Sequence, residues 1–254
     1  MQLSNILKSL LNLQKKINLK TLPSQGYFYK DGFEIFIKKA DLEDIIEYEY
    51  QYMKDNLLMN IHKVKRVVEK NTTISDGYTF MDIKSIDVVF IFFEIVKFTM
   101  NKDISLKYFD DSTGEHGEIN FGPESFNYFN LDQFLSIWDE ESKEFVFDGY
   151  RYSLPTIGVE NSITNFLLDK NMKGDAEYGK YSYDFSYFLN HKPVLNYSEI
   201  ENLLQIFNFD IDNSEIDKVR NIVNRMSGVQ KYSLKKDSRV IDVSSKIDLE
   251  TIWK

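Results

Sequence analysis

Apolar residues recur at helical spacing from the start of the chain: Leu3, Ile6, Leu7, Leu10 and Leu11, continuing to Leu13 and Ile17. The stripe predicts an amphipathic helix over residues 3–19, with Ser4 as N-cap. Its apolar face needs a partner, either the chain's own domain or another subunit. Pro23 then stops any helix, and Gly26 supplies the positive φ of a tight turn. Tyr27-Phe28-Tyr29 predicts an extended segment. Asp31-Gly32 is a hairpin signal, and Phe33 to Lys38 reads as a second strand. The pair predicts a β-hairpin with an aromatic face.

Helical spacing resumes at Asp41, a suitable N-cap, with Asp44 in the first turn where it suits the helix dipole. Leu42, Ile45, Ile46 and Met53 form one stripe; Leu57, Ile61, Val64 and Val68 form the next. Asn71 and Asp76-Gly77 mark a break. Residues 83–100 predict a helix that is apolar nearly all round, the kind found at the centre of a domain. Asp87 and Glu94 are expected on its one polar edge.

The pattern then turns to strands: residues 104–108, 118–121, and two short ones between Glu144 and Leu154 around Asp148-Gly149. Pro155 and Gly158 close this stretch. Helices are expected over 159–170, 176–190, 199–208 and 213–226. Ser198 with Glu201, and Asp212 with Glu215, have capping-box spacing, and Gly228 is placed as a C-terminal stop. Residues 239–243 read as a last strand. The fold class is therefore α+β. An N-terminal hairpin and helical part (1–101) is followed by a β-rich insert (102–156) and a mainly helical C-terminal part (157–254).

Composition narrows the function. The chain has 254 residues, 43% of them hydrophobic, which suits a folded protein. Its net charge of -9 disfavours direct binding to nucleic acid. Short basic runs such as Lys63 to Arg66 and Lys235-Lys236 read as solvated faces. There are no cysteines, so disulfides, thiolate metal sites and cysteine nucleophiles are excluded. Residues 1–19 lack the apolar core and cleavage site of a secretory signal. The most apolar window, Ile86 to Phe98, is interrupted by Glu94 and Lys97 and is too short for a bilayer, which needs about 20 residues. No membrane partner is expected.

Catalytic signals are sparse. His62, His116 and His191 stand apart, with no second histidine or acid at metal-ligand spacing. No nucleophile elbow, P-loop or dinucleotide fingerprint is present. Asp210, Asp212 and Ser214 mimic the start of a calcium loop, but Glu215 and Asn221 stand where that loop needs glycine and glutamate. Acid pairs at Asp110-Asp111 and Asp139-Glu140-Glu141 leave a carbohydrate-active enzyme as an alternative; their bland reading is loop solvation. No catalytic residue, cofactor or metal is assigned. Aromatic residues are the positive signal, at 15%. Tyr178, Tyr181, Tyr183, Phe185, Tyr187 and Phe188 crowd one segment, and tyrosine-rich surface suits protein interfaces as core packing also would.

The opening Leu22-Pro23-Ser24-Gln25-Gly26-Tyr27-Phe28-Tyr29, followed by a strand, two helices and an apolar helix opened by Asp87, resembles the baseplate hub assembly proteins of T-even-type contractile-tailed bacteriophages. The match rests on Leu22, Pro23, Ser24, Gly26, Tyr29 and Asp87 and covers residues 20–100. Relatives often carry an arginine late in the apolar helix, where this chain has Val96 beside Lys97. Many also carry paired cysteines after that helix, and this chain has none, so no family metal is carried over. The resemblance implies a non-enzymatic role in building a baseplate hub, as a chaperone or as a subunit. Its partners would be other baseplate or tail proteins, with no oligomeric state specified. Its location would be the host cytoplasm during assembly, or the virion baseplate. A generic adaptor of another tail-like machine is a further alternative. The candidate contact residues are Leu22, Pro23, Ser24, Gly26, Tyr27 and Tyr29 in the turn, with Tyr181, Tyr183 and Tyr187. The competing reading of the turn is structural: proline and glycine shape it and its tyrosines pack inward.

Overall fold

The structure, a computed structural model, describes residues 14–50, 57–110, 114–147, 150–169, 198–199, 202, 233–236, 239–242 and 252–253. Helices and antiparallel strands in small sheets give the expected α+β class. The first sheet has the order β1-β2-β3, formed by Gln14–Lys16, Ile35–Lys38 and Thr72–Ile74. Between β2 and β3 run α1, Leu42–Tyr50, and α2, Leu57–Asn71. Strand alternation turns Ile35 and Ile37 of β2 into the core and leaves Lys38 in solvent.

The core is built on α3, Val88–Met100, where Val88 through Phe93, Ile95 and Val96 are all buried. Each such side chain contributes roughly 1.5–3 kcal/mol on burial. That sum far exceeds what any one polar contact supplies, so α3 sets the frame to which the rest is fitted. Asn101, in the left-handed region at φ 52°, ends the helix by donating its N–H to the Lys97 carbonyl at 3.0 Å.

The remaining strands follow the predicted order. β4 (Ser105–Asp110) pairs with β5 (Glu115–Asn120). β6 (Trp138–Asp139), β7 (Glu144–Phe147) and β8 (Tyr150–Tyr152) form a second three-stranded sheet. Helix α4 spans Ile157–Asp169. The expected last strand is β10, Arg239–Asp242; its partner β9, Ser233–Lys236, carried no signal. One cluster of buried residues draws members from Ile17 to Ile157 and includes Leu234, Ile241 and Trp253.

Several expectations are corrected. Residues 3–13 of the predicted first helix lie outside the described residues, but 14–16 are strand and Leu19–Thr21 is a 3-10 turn. Ile17 is buried and bonds across to Ile35, so the segment satisfies its backbone in the sheet instead of in a helix. The predicted hairpin is also absent. Residues 27–29 continue a series of turns, with Tyr27 N–H on the Ser24 carbonyl (3.3 Å) and Tyr29 N–H on the Gly26 carbonyl (3.2 Å). A turn does form at Asp31-Gly32, yet β2 pairs with β1 and β3.

On α1, Asp41 caps as expected, accepting from Asp44 N–H at 2.9 Å. The helix face is rotated from the predicted stripe, however. Leu42 and Ile46 are 71% and 54% exposed, while Tyr48 and Asp44 turn inward. Asp44 is held there by Asn71 Nδ2 (3.0 Å) and Lys70 Nζ (3.0 Å). Met53 and the helices expected at 176–190 and 213–226 fall outside the described residues, as do most of 199–208 and Gly228.

Candidate functional site

Asp87 does not lie on a polar edge of the central helix. It is fully buried, directly beneath the turn of residues 22–29. Pro23 breaks the chain there, and Gln25 (φ 54°) and Gly26 (φ 77°) both adopt the left-handed region. A Cβ on Gly26 would stand 3.0 Å from Leu19 Cβ, so glycine fits for space as well as for φ. This sharp reversal points the Ser24 N–H and the Tyr29 ring at one carboxylate. Ser24 N donates to Asp87 Oδ1 at 2.8 Å, and Tyr29 Oη donates to Asp87 Oδ2 at 2.8 Å. Tyr29 Oη in turn accepts from the Lys84 backbone N–H at 2.9 Å.

Lys84 completes the cluster. It is buried, and its Nζ donates to Ser153 Oγ (3.3 Å) and the Leu154 carbonyl (3.2 Å), with the ring of Phe28 6.0 Å away. Main-chain bonds continue the seam: Ser85 N to the Pro155 carbonyl at 3.0 Å and Ile157 N to the Ile83 carbonyl at 2.9 Å. On its far side the turn is tied to Phe129, whose N–H donates to the Pro23 carbonyl at 2.8 Å. Gln25 Nε2 returns a bond to the Phe129 carbonyl at 2.5 Å. The turn therefore joins three stretches of chain that are distant in sequence.

Burial dominates the electrostatics. It raises the Asp87 carboxyl to about 6, against the opposing pull of bonds from Ser24 and Tyr29 and of the Lys84 charge. It lowers the Lys84 ammonium to about 8, with Asp87, Glu144 and Asp82 opposing. Burial, reinforced by the Asp87 charge, raises the Tyr29 hydroxyl well above its ordinary value. A buried carboxylate that accepts two buried hydrogen bonds fixes geometry; leaving a buried donor without its acceptor costs about 1–3 kcal/mol.

The sequence-derived contact residues divide clearly. Leu22, Pro23, Ser24 and Tyr29 are buried inside the chain, while Gln25, Gly26 and Tyr27 keep partial exposure. Ser24 and Tyr29 are thus taken up by Asp87. Tyr181, Tyr183 and Tyr187 lie outside the described residues. Sequence reasoning missed Lys84, Ser153 and Phe129. Only Lys84 left a signal, as a cation next to Ile83 just ahead of the apolar run that begins at Val88.

The described acids of the second candidate site serve their own turn. Asp139 accepts from Ser142 Oγ (2.9 Å) and Glu141 N–H (3.1 Å), and Glu140 is paired with Lys143 and with Trp138 Nε1 (2.7 Å). The Ser142 bond leads in holding Asp139 below the usual carboxylate range. His62 and His116 are exposed, and His191 is outside the described residues. Among the described residues, no cluster of histidines and acids is suited to a metal ion, and no helix is long and apolar enough to cross a membrane.

No family model matches the chain, and neither a curated protein nor a solved structure matches it.

Proposed function

We propose that this chain is a non-enzymatic assembly protein of a contractile-tail baseplate hub, acting through contacts with other tail proteins as a chaperone or a resident subunit. One observation carries the reading. The two separated parts of the resemblance, the turn Leu22 to Tyr29 and the aspartate that opens the apolar helix, meet in a single hydrogen-bonded unit. A motif whose distant members depend on one another in space is a better basis for kinship than either part alone. The turn's role in this reading is architectural. It fixes how the sheet, α3 and the 153–157 segment are presented to partners. The engagement of Asp139 and Glu140 in local turn bonds supports reading the acidic loop as solvating surface.

The test is quantitative mass spectrometry of purified phage particles and of tail assembly intermediates from infected cells. Peptides of this chain at fixed copy number in particles identify a subunit; peptides confined to intermediates identify a chaperone. Absence from both, with no tail protein captured by the tagged chain during infection, overturns the proposal.

A further inference from the structure

Among the described residues β1 is an edge strand of the first sheet, and its outward backbone groups can be assigned from the ladder. Ile17 N–H donates to the Ile35 carbonyl at 2.9 Å, so residues 17 and 35 are a hydrogen-bonded pair. The register Lys15↔Ile37 and Lys16↔Phe36 then alternates, which places Lys15 as the next bonded pair and Lys16 as the unbonded one. Lys16 therefore presents its N–H and C=O away from β2. Lys16 is exposed, and no described residue bonds its main chain.

A cleft of about 280 Å³ opens beside this edge, lined among others by Lys15, Lys16, Ile17, Phe90, Glu94, Lys97 and Phe121. Lys15 reaches from β1 to Glu94 on α3 at 2.6 Å, so its face of the strand is the cleft face. Strand pairing keeps opposed side chains on one face. In a segment added along β1, residues opposite Lys15 and Ile17 would point to the cleft, and the residue opposite Lys16 would point away.

Charge selects the occupant. The chain as a whole carries a net charge of -9. Around this edge, however, Lys15, Lys16 and Lys97 are paired with Glu94, Glu34 and Asp103, and Lys38, opposite Gln14 in the ladder, adds a further positive charge. The lysine side chains at positions 15, 16 and 97 keep 44%, 55% and 40% of their exposure despite their ion pairs. Exposed pairs of this kind exchange partners at little cost.

We propose that β1 is a docking edge for an extended acidic segment of a partner protein, which adds a strand along Gln14–Lys16 and places an apolar side chain in the cleft. The inference goes beyond the baseplate reading, because it names a surface and a ligand chemistry that hold for any partner. Lysines on a short edge strand also serve to prevent aggregation. An edge with that role alone binds no added strand, so binding separates the two.

The probe is a short acetylated peptide alternating aspartate with valine, titrated by fluorescence anisotropy into the full chain. A peptide with lysine in place of aspartate, and one N-methylated on the amides that face the edge, serve as controls. The aspartate peptide is expected to bind at low salt, and the lysine and N-methylated peptides to bind at least about tenfold more weakly. Lys16→Pro removes an N–H that β2 does not use, a change edge strands tolerate. It is expected to weaken the aspartate peptide about tenfold while the urea midpoint stays close to that of the parent. Should that variant unfold, the N-methylated peptide on the parent chain still decides the matter. Failure of the aspartate peptide to bind, or equal binding by all peptides, overturns the proposal. Capture of tail proteins by the Lys16→Pro chain at parental levels would leave the baseplate reading intact and remove the docking edge.

Discussion

Asp87 and Asp139 each accept a bond from the backbone of a turn, and the protein uses them in opposite ways. Asp87 has no solvent, two bonded donors and a buried cation nearby. Asp139 lies near the surface, bonded within its own turn and 3.6 Å from Arg151. Burial raises the first to about 6, whereas hydrogen bonding holds the second below its ordinary range. One carboxylate joins segments distant in sequence, and the other tidies a loop. The difference teaches that the demanding carboxylate is the single buried one that joins distant segments, while adjacent acids at the surface serve only their own turn.

The largest expected effect is that of Asp87→Ala. It strands the Ser24 N–H and the Tyr29 hydroxyl without their acceptor and removes a nearby opposite charge from buried Lys84, and should lower unfolding free energy by about 2–6 kcal/mol in urea titrations. Domains have only about 5–15 kcal/mol in hand, so soluble yield should fall as well.

Next comes pH. The folded carboxyl of Asp87 lies above 3.8, at about 6, so its contribution favours the fold at low pH and is lost as pH rises to about 6. The folded ammonium of Lys84 lies below 10.5, at about 8, so its contribution favours the fold at high pH and is lost as pH falls to about 8. Between those limits both charges are held in a buried site. Urea unfolding of the parent and of Asp87→Asn across this range isolates the carboxyl. The parent's stability relative to the variant should decline between pH 3.8 and about 6, by at most about 3 kcal/mol. A flat difference would mean that Asp87 titrates as if exposed.

Tyr29→Phe removes one hydroxyl from between the Lys84 N–H and Asp87 Oδ2 and should cost about 1–3 kcal/mol, read by the same titration. The smallest change is expected from Asp139→Asn, which keeps the shape of the β6–β7 turn. Its urea midpoint should lie closer to the parent's than that of any variant above. A loss rivaling Tyr29→Phe would erase the contrast between the two regions.

Much of the architecture was legible from spacing alone. The buried α3, the second-helix stripe ending at Asn71, the strand pairs after residue 104 and the cap at Asp41 all follow from local patterns. What spacing misplaced was decided by distant partners. Residues 14–16 became a strand because β2 offered them an edge, and residues 27–29 kept turning because Tyr29 had to reach Asp87. The exposure of Leu42 and Ile46 likewise reflects the pull of Asn71 and Lys70 on Asp44, which no pattern within α1 records. At the site, the turn and Asp87 could each be picked out along the chain. That they touch could not, since sequence order says nothing of which buried acid a turn will meet. Lys84, Ser153 and Phe129 were hidden for the same reason.

The most direct test of that junction is a double-mutant cycle on Tyr29→Phe and Asp87→Asn, with unfolding free energies measured for the parent, both single variants and the pair. The account predicts that the double variant loses less than the sum of the singles, with a coupling between about 0.5 and 3 kcal/mol. Strict additivity would show that the turn and the head of the central helix do not depend on each other, and would contradict it.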